Sequence, residues 1–239
     1  RRLVAAGEFT EAGGMPANHI ASWDMTAWRS LGSGVDGAPR AMAVYRDTLF
    51  VGGLFRLAGN LPVRGGIARW DGETWHDGIA MTEEWPELGV TNLAVAGGHL
   101  AATYVRLPSP EPWGVPVPNE PHPVLWNGAG WDPLSSQGFG SLPNHLAVLG
   151  DSLYAAGDGV YPGGEGMRSG YYVTRWTGTE WLPLGREWDG DPGILVGLNP
   201  DLAYEITALA LHSQHLLGLG MEVYLSVPRL RQIAGGRSL

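Results

Sequence analysis

Three tryptophans lie in loop-like, carboxylate-rich sequence. They are Trp85 beside Glu83 and Glu84 in MTEEWPELG, Trp113 in PEPWGVPVP, and Trp188 between Glu187 and Asp189 in GREWDGDPG. An indole face stacks on a sugar ring or a peptide, and a carboxylate accepts the hydrogens of sugar hydroxyls. Trp85, Trp113, Trp188, Glu84, Glu187 and Asp189 are therefore the candidate ligand-binding residues. Glu83, Glu84, Glu187 and Asp189 could also serve a glycoside hydrolase or lyase, which needs two carboxyls about 5 to 10 Å apart in a pocket. The plainer account of the three indoles is packing beneath their own loops as satellite cores.

Other constellations carry less. His212-x-x-His215 has the spacing of a ligand pair, but no third ligand is near in sequence. His99 and His215 each directly precede a recurring Leu, at places filled by Thr48 and Ser152 elsewhere, which reads as a tight turn. Asp189-Gly190-Asp191 near Glu187 resembles part of a calcium loop but lacks the ligand spacing and final Glu, so it reads as a solvated acidic loop. No metal and no cofactor is expected. The chain has no Cys, and all 15 of its basic residues are Arg. Thiolate nucleophiles, Cys-ligated metals, the P-loop lysine and Schiff-base lysines are thereby excluded. There is no Gly-x-Ser-x-Gly nucleophile elbow.

A net charge of −9 without a basic stripe argues against nucleic acid as partner. No apolar run is long enough to span a bilayer, so membrane insertion is not expected. Arg1 and Arg2 lead straight into a strand pattern with neither Met nor signal peptide, which reads as a piece of a longer chain.

The elements that position these residues come from an internal repeat. Four hairpins share two Trp five residues apart: Trp23 and Trp28, Trp70 and Trp75, Trp126 and Trp131, Trp176 and Trp181. Each strand leading into the first Trp is called C, and each strand starting at the second is called D. Before each later Trp hairpin comes another. Its strand A reads apolar-Ala-apolar, as in Met42-Ala43-Val44, Leu93-Ala94-Val95, Leu146-Ala147-Val148 and Leu209-Ala210-Leu211. Its strand B begins at Leu3, Leu49, Leu100, Leu153 or Leu216, and ends in small residues such as Gly52-Gly53. Arg46-Asp47, Gly97-Gly98, Gly150-Asp151 and Ser213-Gln214 join A to B. Strand B recurs at intervals from 46 residues (Leu3 to Leu49) to 63 (Leu153 to Leu216). A period of this size with four short strands predicts an all-β fold of the β-propeller type, one domain across residues 1–239. Repeat one lacks strand A and repeat five stops after strand B. Five blades, the first and last incomplete, are expected. A four-bladed ring closed by Ile206 to Leu211, or part of a larger ring, are the alternatives.

This order resembles the kelch-type propeller repeat, with Gly-Gly closing strand B and an aromatic pair around the C–D turn. Leu49-Phe50-Val51-Gly52-Gly53-Leu54-Phe55, then Ala58-Gly59, then Ile67 to Gly72 and Trp75 look more closely like the long propeller repeats of secreted or surface-exposed bacterial proteins and fungal cortical polarity markers. The match is best in repeats one and two. Repeat three departs from it at Thr103-Tyr104, and repeat five lacks the Trp hairpin. Asp71 to Trp75 nearly spells the Asp-box of sialidases, with its Gly one residue too early. The resemblance implies a non-enzymatic binding or display scaffold outside the cell or at its surface, with a protein or carbohydrate partner.

The A–B and C–D turns are short, while the B–C and D–A connections are long. The long ones are 11–19, 56–66, 107–123 and 159–169 for B–C, and 32–39, 80–91, 135–143 and 185–205 for D–A. In an up-and-down blade both long sets emerge on one face, the usual place for binding on a rigid scaffold. The eight hairpin Trp are expected to pack between blades. Gly52-Gly53 are expected where backbone passes closely, and Arg69 and Arg175 to stack on the neighbouring Trp.

Overall fold

The computed structural model describes residues 2–78, 88–106, 123–128, 130–134, 143–161, 168–183, 208–212 and 215–219. Strands and turns make up these residues, with no helix among them. Repeat one supplies β1 (Leu3–Ala6), β2 (Glu11–Ala12), β3 (Met15–Pro16), β4 (Ile20–Trp23) and β5 (Trp28–Ser30). Repeat two supplies β6 (Ala38–Tyr45), β7 (Thr48–Leu54), β8 (Leu57–Ala58), β9 (Leu61–Pro62), β10 (Ile67–Trp70) and β11 (Trp75–Asp77). Repeat three supplies β12 (Leu88–Ala96), β13 (His99–Arg106), β14 (Val124–Trp126) and β15 (Trp131–Pro133). Repeat four supplies β16 (Pro143–Leu149), β17 (Ser152–Tyr161), β18 (Arg168–Trp176) and β19 (Trp181–Pro183). The last two strands are β20 (Ala208–His212) and β21 (His215–Leu219).

Repeats two, three and four each form a four-stranded sheet in the order A-B-C-D: β6-β7-β10-β11, β12-β13-β14-β15 and β16-β17-β18-β19. Among the described residues the first sheet has three strands, β1-β4-β5, with none in the place of strand A. The strands β20 and β21 pair with each other, from Ala208↔Leu219 to His212↔His215. Two compact units share the chain. One comprises Arg1–Val95, Tyr104–Val117 and Trp126–Asp132; the other comprises Ala96–Thr103, Pro118–Leu125 and Pro133–Leu239.

Turn chemistry explains the meander. Arg46 and Asp47 both take positive φ, 49° and 60°, as do Gly97 and Gly98 at 55° and 76°. Two successive left-handed residues match the right-handed twist of the strands they join. The A strands begin earlier than the sequence pattern suggests. In repeat two the ladder starts at Ala38 and slips between Pro39 and Ala41; in repeat four it slips between Pro143 and His145. A proline has no N–H to give the ladder, so the strand bulges beside it.

Within the first unit the core lies where the first sheet meets the second. Ile20 of β4, Val51 of β7, Ala68 of β10 and Trp75 of β11 are buried together with Leu31, Val35, Phe55, Ala58 and Val63. Val4, Ala6, Met42, Leu49 and Trp70 pack against them. A Cβ placed on Gly52 would fall 2.3 Å from Val90 Cγ1, so β12 sits against the bare backbone of β7. A Cβ on Gly53 would fall 2.3 Å from Ala38 O, where the bulged strand passes. Each glycine of the pair thus answers a different close approach.

The B–C connections differ from the open loops expected of them. In repeats one and two they fold into the two-stranded hairpins β2-β3 and β8-β9. In repeat four the β17–β18 ladder runs on through Val160↔Ser169 to Tyr161↔Arg168, leaving only 162–167 between the strands. A loop that would otherwise leave backbone N–H and C=O groups unpaired satisfies them by extending the ladder.

Candidate functional site

The six candidate ligand-binding residues, Trp85, Trp113, Trp188, Glu84, Glu187 and Asp189, lie outside the described residues, as do Glu83, Gly190 and Asp191. What the structure describes is the four C–D turns, at one end of the sheets, and the connections of repeats one and two.

In every Trp hairpin the two indoles stand together. Trp23↔Trp28, Trp70↔Trp75 and Trp176↔Trp181 are direct cross-strand partners. The four ring pairs have centroids 5.6, 5.2, 5.5 and 5.1 Å apart and are tilted by 48° to 59°. Such tilted pairs suit the aromatic quadrupole and add about 1 kcal/mol beyond area burial. Trp75, Trp126 and Trp181 are buried and the other five are half-buried. The expected packing between sheets is seen for the Trp70–Trp75 pair, which joins the core between the first two sheets.

A four-residue loop separates the indoles, and all four copies close alike. The backbone N–H of the first loop residue donates to the carbonyl of the fourth: Asp24 to Ala27, Asp71 to Thr74, Asn127 to Gly130 and Thr177 to Glu180, at 2.9 to 3.3 Å. The second loop residue has positive φ each time: Met25 77°, Gly72 111°, Gly128 103° and Gly178 107°. The first residue's side chain then accepts N–H groups from inside the loop. Asp24 Oδ1 takes those of Thr26 and Ala27, Asp71 Oδ1 those of Glu73 and Thr74. Asn127 Oδ1 takes that of Gly130, and Thr177 Oγ1 that of Glu180. This is the local capping for which Asp, Asn and Thr are suited.

The residue after the second Trp reaches back to the same cap. Arg29 Nε meets Asp24 Oδ2 at 2.7 Å, His76 Nε2 meets Asp71 Oδ2 at 2.6 Å, and Asp132 Oδ2 accepts from Asn127 Nδ2 at 2.9 Å. A hydroxyl bond from Thr26, then the Arg29 guanidinium, holds the Asp24 carboxyl well below the usual range. The Thr74 N–H, then His76, does the same for Asp71.

Asp71, Thr74 and His76 bring a carboxylate, a hydroxyl and an imidazole together, and their geometry decides what they can do. Thr74 Oγ1 lies 3.1 Å from His76 Nε2, the same nitrogen that Asp71 contacts. A nucleophilic triad needs the hydroxyl on one ring nitrogen and the orienting carboxylate on the other. Here both compete for Nε2. The Asp24–Arg29 pair fills the same place in repeat one, so the cluster is a turn lock shared by repeats one and two.

Beyond the connections' own hairpins, the segment Leu31–Gly37 ties repeat one to repeat two. Its Val35 N–H donates to Asn18 O at 3.1 Å, and Asn18 Nδ2 donates to Ser33 O at 2.9 Å. Toward repeat two, Gly59 N–H donates to Gly34 O at 2.7 Å and Asp36 N–H to Leu57 O at 3.1 Å. Asp36 Oδ1 accepts the N–H groups of Arg56 and Leu57, both at 2.7 Å. The small hairpins rest on the D-strand indoles: Gly13 lies against Trp28 and Gly59 against Trp75, each with positive φ. Their outer faces expose Met15, Leu57 and Leu61.

Remaining sequence candidates fall into structural places. His99 begins β13 beside the Gly97-Gly98 turn, as expected, and His215 begins β21. Arg69 does something other than the expected stacking, sending Nε to Asp77 O at 3.3 Å across β10–β11. Among the described residues no three His, Cys, Asp or Glu gather as a metal site. The small hairpins and the Asp36 tie were missed in the sequence. Their signal is the shared spacing of Glu11-Ala12-Gly13-Gly14-Met15-Pro16 and Leu57-Ala58-Gly59-Asn60-Leu61-Pro62. Compared with known proteins, the chain matches no family model and no curated protein.

Proposed function

We propose that the chain is a kelch-like β-propeller whose four-stranded sheets are its blades, and that it is a non-enzymatic binding or display scaffold outside the cell or at its surface. The partner is a protein or a glycan. It is held on the face of the B–C and D–A connections, where Trp85, Trp113 and Trp188 offer ring faces and Glu84, Glu187 and Asp189 accept hydroxyl hydrogens. The observation behind this reading is the contrast between the two ends of the sheets. The C–D turns repeat one hydrogen-bonding plan four times, whereas the described B–C connections are small hairpins in repeats one and two and an extended ladder in repeat four. An end kept uniform maintains the scaffold, and an end that varies is available for recognition.

Titration of tryptophan fluorescence with a panel of glycans tests the reading, using the intact chain and Trp113→Ala as the control. A saturable change lost in Trp113→Ala supports the site. A saturable change that survives Trp113→Ala removes Trp113 from it. Release of reducing ends from any glycan would overturn the non-enzymatic reading.

A further inference from the structure

The third C–D turn breaks the pattern of the first two. Repeats one and two place an acid first in the loop and a potential cation after the second Trp: Asp24 with Arg29, Asp71 with His76. Repeat three places an amide first, Asn127, and an acid at the second position, Asp132. The next residue is Gly128, and Asn127-Gly128 is the one Asn-Gly step among the seven asparagines of the sequence.

We propose that Asn127 is a site of spontaneous deamidation, and that the reaction loosens the third Trp hairpin. In this reaction the Gly128 backbone nitrogen loses its proton to solvent and attacks Asn127 Cγ. A C–N bond forms, the Cγ–Nδ2 bond breaks, and Nδ2 leaves as ammonia. Water then opens the cyclic imide to an α-aspartyl or a β-aspartyl residue. No oxidant or reductant is required. Three features of the turn favour the step. Asn127 and Gly128 are exposed, so water and base reach them. Gly128 has no side chain to obstruct the attack, and a Cβ there would meet nothing within 4 Å. The Gly130 N–H, 2.8 Å from Asn127 Oδ1, polarises the amide carbonyl and stabilises negative charge on that oxygen as the tetrahedral adduct forms.

Both products harm this turn. An α-aspartyl residue replaces the Nδ2–H donor with a carboxylate oxygen facing Asp132 Oδ2, where the donor now sits 2.9 Å away. Like charges at that separation repel. Repeats one and two tolerate the acid because Arg29 and His76 face it. A β-aspartyl residue adds a methylene to the main chain inside a four-residue loop, which displaces Trp126 from Trp131, now 5.5 Å apart.

Peptide mapping of the intact chain aged in mildly alkaline buffer tests the site. Asn127 should convert to aspartyl and iso-aspartyl forms ahead of the other six asparagines. Retention of the Asn127 amide while Asn18 or Asn144, each followed by His, loses its own would overturn the assignment. Thermal melting tests the consequence without relying on ageing. Asn127→Asp should lower the melting temperature. Adding Asp132→Arg, which recreates the pair of repeat one, should restore most of the loss. Asn127→Thr, the residue type of repeat four, should melt like the parent and show no conversion in that peptide. An Asn127→Asp chain that melts like the parent would overturn the repulsion argument.

Discussion

In repeat one the D-strand tryptophan, Trp28, is half-buried, while in repeat two its counterpart Trp75 is 4% exposed. Trp75 also donates its indole N–H to Leu31 O at 2.7 Å, a carbonyl 44 residues earlier. Both indoles carry a small hairpin on one side, with Gly13 against Trp28 and Gly59 against Trp75. What Trp75 gains comes from the repeat before it: Leu31 and Gly32 of repeat one close over the Trp70–Trp75 pair. Repeat two therefore completes its own pair of indoles only partly, and repeat one finishes the burial. This is the economy of a repeat protein, in which neighbouring units bury each other's faces.

The largest expected effect follows directly. Trp75→Ala should cost about 3 to 5 kcal/mol, the range for deleting a buried Trp. Trp28→Ala should cost about 1 to 2 kcal/mol, since less of its area leaves water on folding. Urea unfolding of both variants measures the gap. Equal losses would mean that burial by the preceding repeat contributes nothing.

A second contrast concerns the position where strand B faces the next sheet, Ala6 in repeat one and Gly52 in repeat two. Gly52→Ala should destabilise by about 1 to 3 kcal/mol by overpacking, because its Cβ would lie 2.3 Å from Val90 Cγ1. Ala6→Gly should cost less, about 1 kcal/mol. The melting curve of Gly52→Ala decides it: an unchanged midpoint would show that β12 can retreat without penalty.

The second loop position of the C–D turn separates the repeats in the other direction. Repeat two has Gly72 there, and repeat one has Met25, with φ 77° and its side chain exposed. Left-handed backbone costs a side chain about 1 kcal/mol. Met25→Gly should therefore stabilise by up to about 1 kcal/mol, while Gly72→Met should destabilise by a similar amount. A Met25→Gly variant that unfolds at lower urea than the parent would contradict the turn geometry.

The smallest effect is in the turn locks. Asp71 has its folded-state pKa depressed below the ordinary 3.8. Its contribution to stability is thus fully present above that ordinary value and fades as pH falls below it. Asp71→Asn should unfold slightly more easily than the parent at neutral pH and match it in acid. Because the Asp71–His76 pair is exposed, added salt should shrink the neutral-pH difference. A difference that grows on acidification would reverse the sign of this argument.

The strand order was legible because its causes are local. Two-residue turns of Gly or Asp, alternating apolar runs and paired Trp are local signals, and they set A, B, C and D in the sheets of repeats two, three and four. The same features foretold that repeat one would lack strand A. The six candidate ligand residues lie in connections that these signals do not shape. The small hairpins went unread because two-residue strands are too short for a periodicity to register. The Asp36 tie went unread because its partners, Arg56 and Leu57, lie 20 and 21 residues away, and no local pattern announces them.

By itself, then, the sequence determined the all-β class, the four-strand repeat and the pairing of its tryptophans, since each follows from backbone preferences over a short span. Only tertiary structure decided which indoles are buried, why Gly52 and Gly53 must both be glycine, and that Leu31–Gly37 joins two repeats. Those outcomes depend on which backbone lies across from which, and that is set by contacts between residues far apart in the chain.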